Sequence, residues 1–296
     1  MTSASRRRIA DPRALVQLLG DPDTVVIEVT NDPNDRGGPG TIAGSRAVYW
    51  KWLLWHPSDR AFADAEVLAD RLARLGAGGD ARIVLAGAPT QFAAYALWVY
   101  ALAGVGGDFA YLDGGVDGWI ADGLPTDGAV SGAVPEPPTV TPERATVPPV
   151  PLTAPRPDLV VGRTQVRAAI GSPVTLVDVR TPAEFQGVRV APDTEPIDHG
   201  AERHGHIPGA VNLPIGDLLD EYGRLLPDVH LRDRLAPLAD SGEVYVYCRL
   251  SHRAALAWLV IEEIGGDQRV RVYDGSWTEW GSIVGYPVEL PAAVGS

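Results

Sequence analysis

The sequence predicts an α/β protein made of two tandem units, each a mostly parallel sheet flanked by helices. Three observations carry that expectation. Short, near-continuous apolar runs alternate with segments of helical period, as strands buried on both faces of a parallel sheet require. The same blocks occur twice in the same order. A proline-crowded stretch divides the two occurrences, and a chain of 296 residues has room for about two domains.

The blocks follow one another in step. The first unit, 1–133, opens with "PRALVQLLG", read as a helix, and the strand "TVVIEVT". The second unit, 158–296, opens with "TQVRAAIG" and "VTLVDVR". "GTIAGSRAVYW" from Gly40 is answered by "GHIPGAVNLP" from Gly205, and "RIVLAGA" ending at Ala88 by "VYVYC" ending at Cys248. Two apolar helices follow, "AAYALWVYALAGVGG" and "ALAWLVIEEIGG", each closed by glycines suited to a helix C-cap. Each unit then has a strand, an Asp-Gly turn, a Trp-bearing helical turn and a Gly-x-Pro exit. This places Ala88 at or next to the position of Cys248, although one residue fewer separates Ala88 from Asp113 than Cys248 from Asp274. Between the units, 134–157 reads as an extended, semi-rigid linker, because proline fixes φ and removes donors.

Composition narrows the function. A formal net charge of −13 argues against nucleic-acid and membrane-surface partners, which need a basic face. The basic run Arg6-Arg7-Arg8 lacks a following apolar stretch and reads as a solvated tail rather than a signal peptide. No apolar window approaches the roughly 18 residues that span a bilayer. The single cysteine excludes an intrachain disulfide and cysteine-rich metal sites, and a lone usable thiol suits a cytoplasmic location. Nothing in the sequence points to a metal or an organic cofactor.

That cysteine stands at a strand's carboxyl end, where ligands of parallel α/β sheets sit. If the next helix begins near Ala254, Cys248 to Arg253 form a tight turn whose N–H groups converge on one point, reinforced by the helix's positive end. Arg249, His252 and Arg253 are expected to add side-chain charge, so the turn favours an anion at sulfur. The simpler account is a cysteine packed at a strand end, with Arg253 and His252 as surface residues. Cysteine-dependent phosphatases place five residues between Cys and Arg; here there are four, a smaller nest suited to one extra sulfur atom.

With "LVDVRTPAEFQG" (Leu176–Gly187), "GHIPGAVNLP", the "YCR…R" loop and "YDGSWTEWG" (Tyr273–Gly281), the chain resembles the tandem-domain rhodaneses, the thiosulfate and 3-mercaptopyruvate sulfurtransferases. The resemblance implies two tandem rhodanese-like domains, the first catalytically inactive. It also implies sulfur transfer through a persulfide on Cys248, from a small anionic donor to a thiol, cyanide or protein-cysteine acceptor. Arg249, Leu250, Ser251, His252 and Arg253 would form the persulfide-binding loop, and Arg180 would hold the donor's anionic group. Arg180 is alternatively a structural partner of Glu184, and Asp178 and Asp274 read as strand-end and turn residues. Leu250 and Ser251 depart from the family, which often has a basic or small polar residue and then glycine there. Those departures keep a second reading open, a slow or non-catalytic sulfur carrier or interaction protein in a specialised sulfur-incorporation pathway. Trp50, Trp52 and Trp55, three indoles in six residues, and Trp277 are candidate walls of a cleft over Cys248, although aromatics so spaced are commonly core. The Gly- and Pro-rich segment before them, 30–40, reads as a mobile loop.

Overall fold

A computed structural model of the chain describes residues 8–34, 40–127 and 147–290. Arg6, Arg7, the middle of the 30–40 loop and the first half of the linker lie outside the described residues. The chain divides into two compact units, one reaching Pro157 and including Glu221–Arg224, the other formed by Asp158–Asp220 with Leu225 onward.

Unit 1 holds a parallel five-stranded sheet in the order β1-β5-β4-β2-β3. Its strands are β1 (Ile9–Ala10), β2 (Thr24–Thr30), β3 (Arg46–Tyr49), β4 (Arg82–Ala88) and β5 (Asp108–Leu112). The helices are α1 (Pro12–Val16), α2 (Trp50–Leu54), α3 (Ala65–Arg74), α4 (Gln91–Ala103) and α5 (Gly115–Ala121). Asp11 caps α1 by accepting from the Ala14 amide at 2.8 Å. Every residue of α4 from Phe92 to Tyr100 is buried, as expected for a helix that is apolar all round, and Gly104 ends it in the left-handed conformation. The described part of the proline-rich segment belongs to this unit. Its carbonyls at Pro148 and Pro151 accept from the Gly79 and Gly106 amides at 2.9 and 2.8 Å, and its Thr153 and Arg156 amides donate to Gly104 and Leu102 at 2.7 and 3.0 Å.

Unit 2 repeats the topology strand for strand, β6-β10-β9-β7-β8, again all parallel. These are β6 (Val160–Val161), β7 (Thr175–Asp178), β8 (Val211–Asn212), β9 (Glu243–Tyr247) and β10 (Arg269–Tyr273). Around them run α6 (Arg163–Ala169), α7 (Pro182–Phe185), α8 (Asp228–Leu235), α9 (His252–Val260) and α10 (Ser276–Trp280). The repetition reaches single bonds: Trp119 and Trp280 hold equivalent places, and each donates its indole N–H at 2.8 Å to the carbonyl of the exit proline segment, at Pro125 and Pro287.

Sheet register corrects the match between the halves by one residue. Asp178 pairs with Tyr247, and the equivalent Glu28 pairs with Ala86. On the other side Val246 pairs with Val272, and Leu85 with Tyr111. Both registers make Gly87, not Ala88, the counterpart of Cys248. A Cβ at Gly87 would meet the carbonyl oxygens of Thr90 and Pro89, the latter at 2.6 Å, so the chain closes over this strand end and leaves no room for a side chain.

Candidate active site

Cys248 follows β9, the central strand of its sheet, and is buried. Its amide donates to Ser276 Oγ at 3.2 Å, and its carbonyl accepts from the Trp277 amide at 2.9 Å. The Arg249 carbonyl accepts from the Thr278 amide at 3.1 Å, so the start of the loop is stitched to α10. Among the described residues, no intramolecular acceptor is matched to the amides of Arg249, Leu250 or Ser251. The helix begins at His252, two residues earlier than expected, which puts His252 and Arg253 in its first turn, where backbone N–H groups lack intrahelical acceptors. The loop is therefore shorter than the sequence implies.

Ser251 closes it. Fully buried, with φ 68 and ψ −21, it occupies the left-handed conformation that favours glycine, and its Oγ donates to Asp274 Oδ1 at 2.8 Å. Asp274 is thus an anchor of the loop and not merely a turn residue. Leu250 beside it is half-buried, as is His252.

The cationic collar expected from the sequence is largely neutralised. Arg253 forms a two-pronged bond to Glu184, at 2.7 and 2.8 Å, and the Glu184 side chain is fully buried. Burial works against the Arg253 charge, but the Glu184 hydrogen bonds and the nearby Cys248 and Glu184 charges raise its pKa. Glu184 is placed by a capping box: its carboxylate accepts from the Thr181 amide at 3.0 Å, and Thr181 Oγ1 accepts from the Glu184 amide at 3.3 Å. Arg249 turns to the segment before Gly200, with Nη1 3.4 Å from Glu195 and Nη2 3.2 Å from His199 Nδ1. What remains positive at the thiol is chiefly main chain.

Arg180 does not pair with Glu184. Its partner is Asp178, reached by Nε at 3.0 and 3.1 Å and by Nη2 at 2.6 Å, and the same Nη2 donates to the Gly205 carbonyl at 2.7 Å. Both side chains are fully buried. Burial opposes the Arg180 charge, and Asp178 outweighs it, raising its pKa. The guanidinium lies 4.5 Å above the Trp277 ring, and its Nη1 has no hydrogen-bond partner. Trp277 itself is 0% exposed, inside the core cluster with Tyr247, Tyr273 and Trp280, and donates its indole N–H to the Arg203 carbonyl at 3.0 Å. Cys248, its loop, Arg180 and Trp277 are therefore gathered in unit 2. Trp50, Trp52 and Trp55 belong to unit 1, where Trp50 is buried against Trp55, Phe92 and Tyr95. Unit 1 also lacks the buried arginine: at Thr30, the place of Arg180, there is a hydroxyl, and Glu28 instead accepts from the Ile42 amide and Ser45 Oγ, both at 2.6 Å. Sequence reasoning missed Glu184, Ser276, Glu195 and His199 as neighbours of the loop; only Thr181-x-x-Glu184, a helix-start signature, was a visible signal.

Residues 163–283 match the rhodanese-like domain family. A Mycolicibacterium smegmatis protein, provisionally named a thiosulfate sulfurtransferase, is 37% identical over 277 residues, 92% of this chain and 94% of that one. The chain belongs to the rhodanese family of sulfurtransferases. A second relative, the sulfur carrier protein TtuD of Thermus thermophilus, is 34% identical over 290 residues, 94% of this chain and 97% of that one. The fold is also that of SseA from Escherichia coli, a structure of the 3-mercaptopyruvate sulfotransferases, with a TM-score of 0.63 at 23% identity over 91% of this chain and 98% of that one. Among the described residues of this rhodanese, no helix is long and apolar enough to cross a membrane.

Proposed function

We propose that this rhodanese moves a sulfane sulfur from thiosulfate, or a comparable small anionic donor, to a thiophilic acceptor through a persulfide on Cys248. The observation that carries the reading is the loop of unmatched amides from Arg249 to Ser251, opening on the only thiol of the chain at the end of the central strand. The Cys248 thiolate attacks the outer sulfur of thiosulfate; the S–S bond of the donor breaks and sulfite leaves with its electron pair. The loop amides would then hold the terminal anionic sulfur of Cys248–S–S⁻. Cyanide, a thiolate or a protein cysteine attacks that outer sulfur and restores the Cys248 thiolate. Arg180 Nη1, buried and without a partner, would steady the departing or entering oxyanion. Support comes also from the Mycolicibacterium relative, named for thiosulfate.

The test is intact mass after incubation with thiosulfate. A gain of one sulfur atom, absent from Cys248→Ser and removed by cyanide, is expected; an unmodified protein whose thiol still alkylates would overturn the proposal. The similarity to a sulfur carrier favours a second reading, in which loading is fast and release waits for a particular protein acceptor. Stable loading with slow turnover to cyanide would select it.

A further inference from the structure

The tryptophan segment of unit 1 builds a cavity that sulfur transfer does not explain. It has a volume of about 550 Å³ and is walled by Tyr49, Trp52 and Trp55, with Lys51, Arg60 and Arg71 at its edges. That size falls within the roughly 300–1,000 Å³ of small-molecule sites, which pair aromatic walls with a few placed polar groups.

The frame is braced. Trp55 pairs with Phe62 in an antiparallel bridge, the His56 amide donates to the Ala61 carbonyl at 2.9 Å, and the Ala63 amide to Leu54 at 3.0 Å. Arg71 Nη1 ties α3 to the end of α2 by donating to the carbonyls of Leu53 and Trp55, at 3.2 and 2.9 Å. Tyr49 and Trp52 meet edge to face at 5.4 Å. The cations stand over the rings: Lys51 Nζ is 5.3 Å and Arg60 Cζ 5.3 Å from the Trp55 ring centroid. The carboxylate of the lining, Asp59, faces His56 at 3.4 Å, and both are exposed. In a chain of net charge −13, this cavity is cationic and aromatic.

We infer that it binds a small organic anion with a flat, unsaturated body, of the aryl carboxylate or aryl sulfonate class. The ring of such a ligand packs against Trp52, and its anionic group lies between Lys51 and Arg60, the two cations held over Trp55. A neutral planar molecule would gain only the stacking, and a simple inorganic anion only the charge.

Calorimetric titration of the full chain with naphthalene-2-sulfonate tests this, with naphthalene-2-sulfonamide as the neutral match and sulfate as the anion without a ring. The sulfonate is expected to bind one site, and each control at least about tenfold more weakly. Lys51→Met and Arg60→Gln, both at exposed positions and so compatible with folding, should each weaken the sulfonate by about tenfold and the sulfonamide little. Trp52→Ala should weaken both. Absence of binding at millimolar sulfonate, equal affinity for the sulfonamide, or affinity unchanged in both charge variants would overturn the inference; the last would place the anion elsewhere on the chain.

Discussion

Ser251 Oγ donates to Asp274 Oδ1 at 2.8 Å while the serine backbone sits at φ 68. A hydrogen bond to a carboxylate is worth about 1.5–3 kcal/mol, and left-handed backbone costs a non-glycine residue about 1–2 kcal/mol, so the two nearly offset. Ser251→Ala keeps the strain and loses the bond, and should destabilise by about 1.5–3 kcal/mol in urea unfolding. Ser251→Gly loses both and should fall between Ala and the parent. An alanine variant as stable as the parent would show that Asp274 does not anchor the loop.

Arg253 and Glu184 stand or fall together. Arg253→Met strands a fully buried carboxylate and should cost about 3–5 kcal/mol. Adding Glu184→Gln removes the stranded charge, so the double variant should recover part of that loss. A double-mutant cycle on unfolding free energies measures the coupling.

Acid should loosen the same contact. Burial alone would raise the Glu184 pKa, but Arg253, the Thr181 amide and Arg180 outweigh it and hold the carboxyl below the ordinary glutamate value. A group so depressed contributes stability fully above its unfolded value of about 4.3, and that contribution disappears as pH falls through the lower folded value. Thermal midpoints of parent and Glu184→Gln should therefore differ above about pH 5 and converge in stronger acid.

A cysteine placed at the equivalent position of unit 1 should not act as a nucleophile. Gly87→Cys drives its Cβ against the Pro89 and Thr90 carbonyls and should cost about 1–3 kcal/mol by overpacking. In a Cys248→Ser background it should take up no sulfur from thiosulfate by intact mass.

Arg180→Lys tests the donor's anchor. A lysine has no fork to grip Asp178 while presenting a further donor, so the KM for thiosulfate should rise by about tenfold or more. An unchanged KM would confine Arg180 to a structural part.

The repeat, the parallel sheets and the place of Cys248 were legible because strands buried on both faces write their burial directly into sequence. Their ends were not. "RIVLAGA" stays apolar to Ala88, and hydropathy alone could not separate Gly87 from its neighbour; that took hydrogen-bond register with β2 and β5. Side-chain partners were harder. An i, i+4 pairing of Arg180 with Glu184 assumes a helix, but Arg180 precedes α7, and the capping box directs Glu184 toward Thr181 and Arg253. Arg180 lies after β7, where its own neighbour Asp178 is in reach. The collar of positive side chains was read from Arg249, His252 and Arg253 alone, and the carboxylates that pair with the two arginines come from segments distant in sequence.

Because the carboxylates of Glu184 and Glu195 occupy its arginines, the donors left at the thiol are backbone N–H groups, which every residue type but proline supplies. On the proposed mechanism the side chain of Leu250 can vary without loss of those donors, whereas Ser251 is held in place by Asp274. Donor selectivity would then be adjustable at position 250 without dismantling the loop.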